Sequence, residues 1–174
     1  GLKAVCSKQW YPVSFNDAFG KPAGIAIELA SKISQKLSIP ISFNCDLPWK
    51  RAVYYMNTGQ VDLMLGHYLN ATRAELWYNF KPFFQNDIRV FYGEHVADDK
   101  RSRLLLKKLL GMKPAGASFG DEIDTLIKTE LKVVEVLGEG NLLSQLTVGF
   151  QDYAILAKSH GESYVDINPS LQST

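Results

Sequence analysis

The run Gly59–Phe84, GQVDLMLGHYLNATRAELWYNFKPFF, decides how the rest of the chain is read, because it holds a strand, a turn and a helix start in succession. Val61, Leu63 and Leu65 sit among apolar neighbours in VDLMLG. A short apolar run behind a glycine predicts a strand buried on both faces, with Asp62 at its beginning and Gly66 at its end. Asn70 has the side chain of a helix cap, so a helix is predicted from Ala71, with Glu75 in its exposed first turns. Arg73 then falls in the first turn, where free N–H groups and the positive end of the helix dipole favour a carboxylate or phosphate. A guanidinium there adds a planar, two-pronged donor. An arbitrary arginine is more often a solvated residue, but this one lies beyond the carboxyl end of a strand, where open α/β sheets bind ligands. His67 and Tyr68 share the loop, within reach of any such ligand, although a lone loop histidine is more often structural than catalytic.

Upstream, Leu2–Cys6 predicts a first strand, and SKQWYPVSFNDAFGKPAG a loop rich in Gly, Pro, Asn and Asp. Trp10, Tyr11 and Phe15 stand in that loop, where rings serve local packing or cover a ligand. A helix is predicted over Ile25–Leu37 with Ala26, Leu29, Ala30, Ile33 and Leu37 as its buried stripe. A second strand, Ile41–Cys45, follows the Pro40 turn and completes a right-handed βαβ unit. The next helix, Trp49–Thr58, starts after Pro48 and closes at Gly59. Arg51, in its first turn, is a second candidate for the anion site, and a packing role at the helix start competes with that. Cys6 and Cys45 occupy corresponding strand ends. They are read equally as two small buried thiols or as a disulfide of an oxidising compartment. Without histidine partners nearby they do not make a zinc site.

Downstream, Asp87–Tyr92 predicts a strand that leaves the first unit, Leu104–Leu110 a helix end and Lys113–Ala117 a short strand. Ser118, Phe119, Gly120 and Asp121 then form a turn opening a helix through Ile127. Either this is an ordinary cap or it is a second anion-ready helix start with exposed N–H groups. The chain also echoes itself. Met56-Asn-Thr-Gly59-Gln-Val-Asp62-Leu-Met-Leu65 and Leu146-Thr-Val-Gly149-Phe-Gln-Asp152-Tyr-Ala-Ile155 share a helix end, Gly, Asp and apolar strand in one register. Two copies are too few for a solenoid and fit two similar α/β units, 1–88 and 89–174, with Asp87–Tyr92 as a crossing between them.

Composition narrows the function classes. The 174 residues, 46% hydrophobic and 21% charged, suffice for one good core or two small lobes and argue against disorder. A net charge of +1 gives no field for nucleic acid, and the basic run Lys100–Lys108 reads as a helix face. No apolar run approaches the roughly 20 residues of a membrane helix, and no leader precedes Gly1, as in a mature form whose signal peptide is gone.

The pattern Gly66-x-x-x-Asn70-x-x-Arg73, followed by Phe80-x-Pro82-Phe83, resembles the bacterial family 3 periplasmic solute-binding proteins, with Asn70 in place of the family's usual threonine. The resemblance extends through the WYP loop, GIAIELA, PWKRA, the SFGD turn and the QDYAIL strand. It implies a two-lobed periplasmic-binding-protein-like fold of type II, each lobe a small, mostly parallel sheet flanked by helices. It implies that Arg73 holds a ligand carboxylate, that the Ser118–Gly120 turn faces it from the second lobe, and that the lobes close about a hinge. Trp10, Tyr11, His67, Tyr68, Asn70 and Arg51 complete the expected site. At the place of the family's acidic residue for an α-amino group stands Ala157. The family chain also returns to finish its first lobe. This one is expected to lack that return, leaving apolar surface in lobe 1, and AILAKSHGESYVDI is short for the helix expected there.

The function so implied is capture of a small carboxylate, an amino acid or a relative, in the periplasm, and delivery to the permease of an ABC transporter. A monomer is expected, with no catalytic residue, metal, cofactor or nucleic acid. The site offers anion donors and aromatic covers but no nucleophile with a partnered base. The alternatives are a ligand-sensing domain of a membrane receptor and a dehydratase-like enzyme on the same fold, for which His67, Glu28 or Asp17 would be acid or base.

Overall fold

Leu2–Val5 (β1) ends in two buried residues, Ala4 and Val5, and the first half of the chain assembles on it. The computed structural model describes residues 1–167 and 172–173. Two units emerge, Gly1–Phe84 and Gln85–Thr174.

In the first unit the segment after β1, expected as a plain loop, folds into a small antiparallel sheet of Gln9–Trp10 (β2), Ser14–Asn16 (β3) and Pro22–Ala23 (β4). Its register pairs Trp10 with Ser14 and Phe15 with Ala23. Asp17 shapes the last turn, its Oδ1 accepting the Phe19 and Lys21 amides at 2.9 and 2.8 Å. Strands of two or three residues are too short to show a period in sequence, and the Gly, Pro and Asp that dominate here are the turn residues between them.

The helix Ile25–Leu37 (α1) has the predicted bounds but buries only part of the predicted stripe. It buries Ala26, Ile27 and Ala30, whereas Leu29, Ile33 and Leu37 are 40%, 45% and 60% exposed. Those three, with Ile25, form a row at four-residue spacing beside the buried face. Ile41–Asn44 (β5) pairs in parallel with β1, Val5 opposite Asn44. That register sets the next two residues side by side, and Cys6 and Cys45 are joined in a disulfide with their Cα atoms 4.4 Å apart. Ile27 lies buried against the pair, with Phe43 and Leu65 at its rim.

Trp49–Asn57 (α2) leads to Leu63–Met64 (β6), which pairs in parallel with β1 on the side away from β5. This strand is shorter than the expected Val61–Leu65 and is not buried on both faces. Val61, Leu63 and Leu65 are half-buried, as befits the edge of a three-stranded sheet. The helix Ala71–Leu76 (α3) follows.

The second unit is a five-stranded sheet. Ile88–Tyr92 (β7) is followed by two 3-10 turns, Asp98–Lys100 and Arg103–Lys108, where a helix end was expected over Leu104–Leu110. Leu110–Pro114 (β8) begins three residues before the expected strand. Next come Asp121–Glu130 (α4), Lys132–Val136 (β9), Glu139–Val148 (α5), Tyr153–Ala157 (β10), Lys158–Ile167 (α6) and Gln172–Ser173 (β11). The order is β11-β7-β10-β8-β9. β8 pairs in parallel with β9 from Leu110 opposite Lys132 to Pro114 opposite Val136, and this pairing draws the strand forward onto LLGM. β10, buried along its whole length, is parallel to β8 and antiparallel to β7. Phe91, Met112, Val136, Leu142, Leu146, Ala154 and Leu156 form its core. The helix Lys158–Ile167, in the segment read as short for one, follows β10 without a break.

The internal echo has a structural counterpart. Gly59 and Gly149, both at positive φ (69° and 79°), end α2 and α5, and the next amide reaches back to Tyr55 O and Gln145 O at 2.9 and 3.0 Å. Asp62 Oδ2 accepts the Lys3 amide and Asp152 Oδ2 the Leu110 amide, each at 2.7 Å. In both units an aspartate thus ties the incoming strand to the first residues of its parallel neighbour.

Candidate functional site

The loop leaving β6 is shaped by Gly66. Its φ of 86° favours glycine, and a Cβ there would stand 2.8 Å from Val13 Cγ1 and 3.2 Å from Trp10 Cζ3. Only a bare backbone admits the Trp10 ring, which in turn meets Tyr68 with centroids 5.6 Å apart. Asn70 caps α3 as its side chain suggested: Oδ1 accepts the Arg73 amide at 2.8 Å.

Arg73 does not lie open to solvent. It is 5% exposed, its Nη1 donates to the Tyr68 carbonyl at 2.8 Å, and its guanidinium carbon lies 5.3 Å from the centre of the Trp77 ring. Trp77 is itself fixed, its Nε1 donating to Asn57 Oδ1 at 2.8 Å across to the end of α2. Asn79 completes the frame by donating Nδ2 to the Arg73 and Trp77 carbonyls at 3.0 and 2.8 Å. The Tyr68 carbonyl and the Trp77 face thus hold the guanidinium in one orientation.

His67 Nδ1 lies 3.0 Å from the same Tyr68 carbonyl oxygen, and its ring stands edge-on to Trp77 at 5.0 Å. Burial pushes its pKa below the usual histidine value and the Arg73 charge adds to this, against the opposing effects of the Tyr68 carbonyl, which it meets in a hydrogen bond, and of Asn79 nearby.

The structure therefore gathers Trp10, His67, Tyr68, Asn70 and Arg73 around one loop. Tyr11, 54% exposed, turns instead to Phe15, centroids 5.1 Å apart. Arg51 is exposed on α2 and joins none of these contacts among the described residues. Sequence reasoning missed Trp77, Asn79 and Asn57. Trp77 was available in principle, lying four residues after Arg73 on the same helical face. Nothing local pointed to either asparagine.

In the second unit, the Ser118–Gly120 turn does not present the open donors expected of it. The Ser118 hydroxyl donates to Asp124 Oδ2, the Phe119 amide donates to Asp124 Oδ1 at 2.9 Å, and the Gly120 amide reaches Ser118 Oγ at 3.4 Å. A carboxylate from the first turns of α4 folds back over the helix start, as a capping side chain does. Ala157 is buried at the end of β10. Among the described residues no group of three or more His, Cys, Asp or Glu is placed to hold a metal, and no helix is long and apolar enough to cross a membrane.

Beyond the carboxyl end of the parallel sheet β5-β1-β6 stands a buried arginine that donates to the Tyr68 carbonyl and lies against Trp77. The chain belongs to the bacterial extracellular solute-binding proteins, family 3, whose family model matches residues 2–160. Solved structures share its two-lobed fold. An ancestral arginine-binding protein bound to arginine is similar at 20% identity and a TM-score of 0.86, the match covering 99% of this chain and 77% of that one. Holo ArgBP from T. maritima is similar at 18% identity and a TM-score of 0.85, covering 99% and 75%. An amino acid ABC transporter substrate-binding protein from Streptococcus pneumoniae bound to L-arginine is similar at 19% identity and 0.85, covering 99% and 74%. Among curated proteins none matches this sequence.

Proposed function

We propose that this solute-binding protein captures a small solute through its carboxylate, with Arg73 as the anchor, and hands it to the permease of an ABC transporter outside the cytoplasm. The observation that carries this reading is the fixed guanidinium. Tyr68, Trp77, Asn70 and Asn79 hold Arg73 from the side chain and the backbone at once. An unsupported surface arginine would bring little to an anion in water. Amino acids and related carboxylates are the solute class. The similar structures described as bound to arginine or glutamine support it, while Ala157 leaves an α-ammonium to be met by other groups. The Cys6–Cys45 bond suits an oxidising, extracytoplasmic setting. Binding rather than catalysis accords with the family and with His67, which is engaged in holding the loop.

Calorimetry with L-arginine, L-glutamine and propionate tests the anchor. Arg73→Ala is expected to abolish measurable binding, and Arg73→Lys to weaken it by about tenfold or more, because a point charge does not reproduce the planar donor. Equal affinities in wild type and Arg73→Ala would remove Arg73 from the site.

A further inference from the structure

The Tyr68 carbonyl oxygen accepts from two side chains at once, Arg73 Nη1 at 2.8 Å and His67 Nδ1 at 3.0 Å. A carbonyl only accepts, so Nδ1 of His67 carries a proton and the neutral ring keeps its lone pair on Nε2. Both side chains also meet Trp77, Arg73 with its guanidinium and His67 with its ring edge. On the remaining side stands Asn79. Its Nδ2 serves two carbonyls, which fixes the orientation of the amide, and its Oδ1 is buried without a hydrogen-bond partner among the described residues. Asn79 faces His67 closely enough to favour the protonated ring. Among the described residues, those placed against His67 include Arg73, the Tyr68 carbonyl, Asn79 and the Trp77 ring.

We propose that solute binding at Arg73 is proton-linked: a carboxylate docking on the guanidinium draws a proton from solvent onto Nε2 of His67. This rests on Arg73 being the carboxylate anchor. In the solute-free protein burial of the ring opposes a charge on His67, and the Arg73 charge beside it adds to this. An arriving carboxylate offsets the Arg73 charge. The charges balance: one anion enters from solution and up to one proton follows it. Because the bound state holds the proton more tightly, affinity rises as pH falls through the window between the free and bound His67 midpoints. A rise of one pH unit in that midpoint appears as about a tenfold gain in affinity.

The test combines binding isotherms for L-arginine and L-glutamine between about pH 5 and 8, where their carboxylates stay ionised, and for propionate above about pH 6, with the imidazole proton resonances of His67. In the wild type, affinity should increase toward low pH and the His67 midpoint should rise on saturation. In His67→Gln the slope should vanish whatever the absolute affinity. Asn79→Ala should reduce the slope, whatever it does to the absolute affinity. A slope that survives in His67→Gln, or a His67 midpoint that saturation leaves unmoved, overturns the proton link while leaving the anchor intact. If none of the three carboxylates binds, or if Arg73→Ala binds them unchanged, the anchor itself fails and the link with it.

Discussion

Tyr153 opens β10 with its ring over Gly111, where an added Cβ would stand 2.3 Å from the ring carbons. Its hydroxyl is buried with no hydrogen-bond partner among the described residues, and burial, then the neighbouring Tyr92 and Asp152, push its pKa up to about 12 from 10.0. The folded chain thus keeps a proton that the unfolded chain gives up near pH 10. Its contribution to stability is intact below that value and declines as pH rises toward 12. Tyr153→Phe should be level with the wild type or slightly more stable at neutral pH, since an unsatisfied hydroxyl is lost. At strongly alkaline pH it should be more stable by on the order of 2 kcal/mol. Urea midpoints of both proteins at the two pH values check this, and a neutral-pH loss above about 1 kcal/mol would mean the hydroxyl has a partner. At this scale the site was partly legible in advance. Asn70 and Arg73 are spaced as cap and third helical residue, a local rule that tertiary packing left in place. The burial of Arg73 under Trp77, and the capture of the Ser118 turn by Asp124, depend on side-chain directions that linear order does not state.

Among the elements, β1 and β5 are the pair most firmly joined, by parallel backbone bonds and by the disulfide just past their ends. The bond closes a loop of 39 residues in sequence separation, so its removal should destabilise the unit by about 2–4 kcal/mol. Hydrogen exchange under reductant gives the local readout. Amides of Leu2–Val5 and Ile41–Asn44 should lose protection, while those of β8, β9 and β10, which contain no cysteine, should not. Uniform loss across both sheets would contradict this. Sequence pattern placed α1 within its observed bounds because a thirteen-residue helix shows its period plainly. It made β6 too long and began β8 three residues late, since an edge strand of two residues and a strand holding Gly111 and Pro114 lack that signature. Whether Cys6 and Cys45 were thiols or a disulfide was undecidable from spacing alone. The pairing of Val5 with Asn44 is what resolves it.

Across the whole chain, the two-unit α/β design was legible because it is written twice. Each copy sets a glycine after a helix and an aspartate three residues on, and in each the aspartate binds the amide of a neighbouring strand. Legible in kind but not in place was the surface of α1. Amphipathic spacing marked Ala26, Leu29, Ala30, Ile33 and Leu37 as inward; the two alanines are buried with Ile27, while Leu29, Ile33 and Leu37 face outward. The outer row has a consequence for colloidal behaviour. Sulfate is excluded from protein surfaces and raises the free energy of every wetted hydrocarbon group, so a continuous aliphatic ridge lowers the salt concentration at which molecules leave solution. Replacing the ridge by Leu29→Glu, Ile33→Lys and Leu37→Glu should shift the ammonium sulfate precipitation point of this chain upward with little change in its urea midpoint, and an unmoved precipitation point would show that the ridge does not govern its solubility.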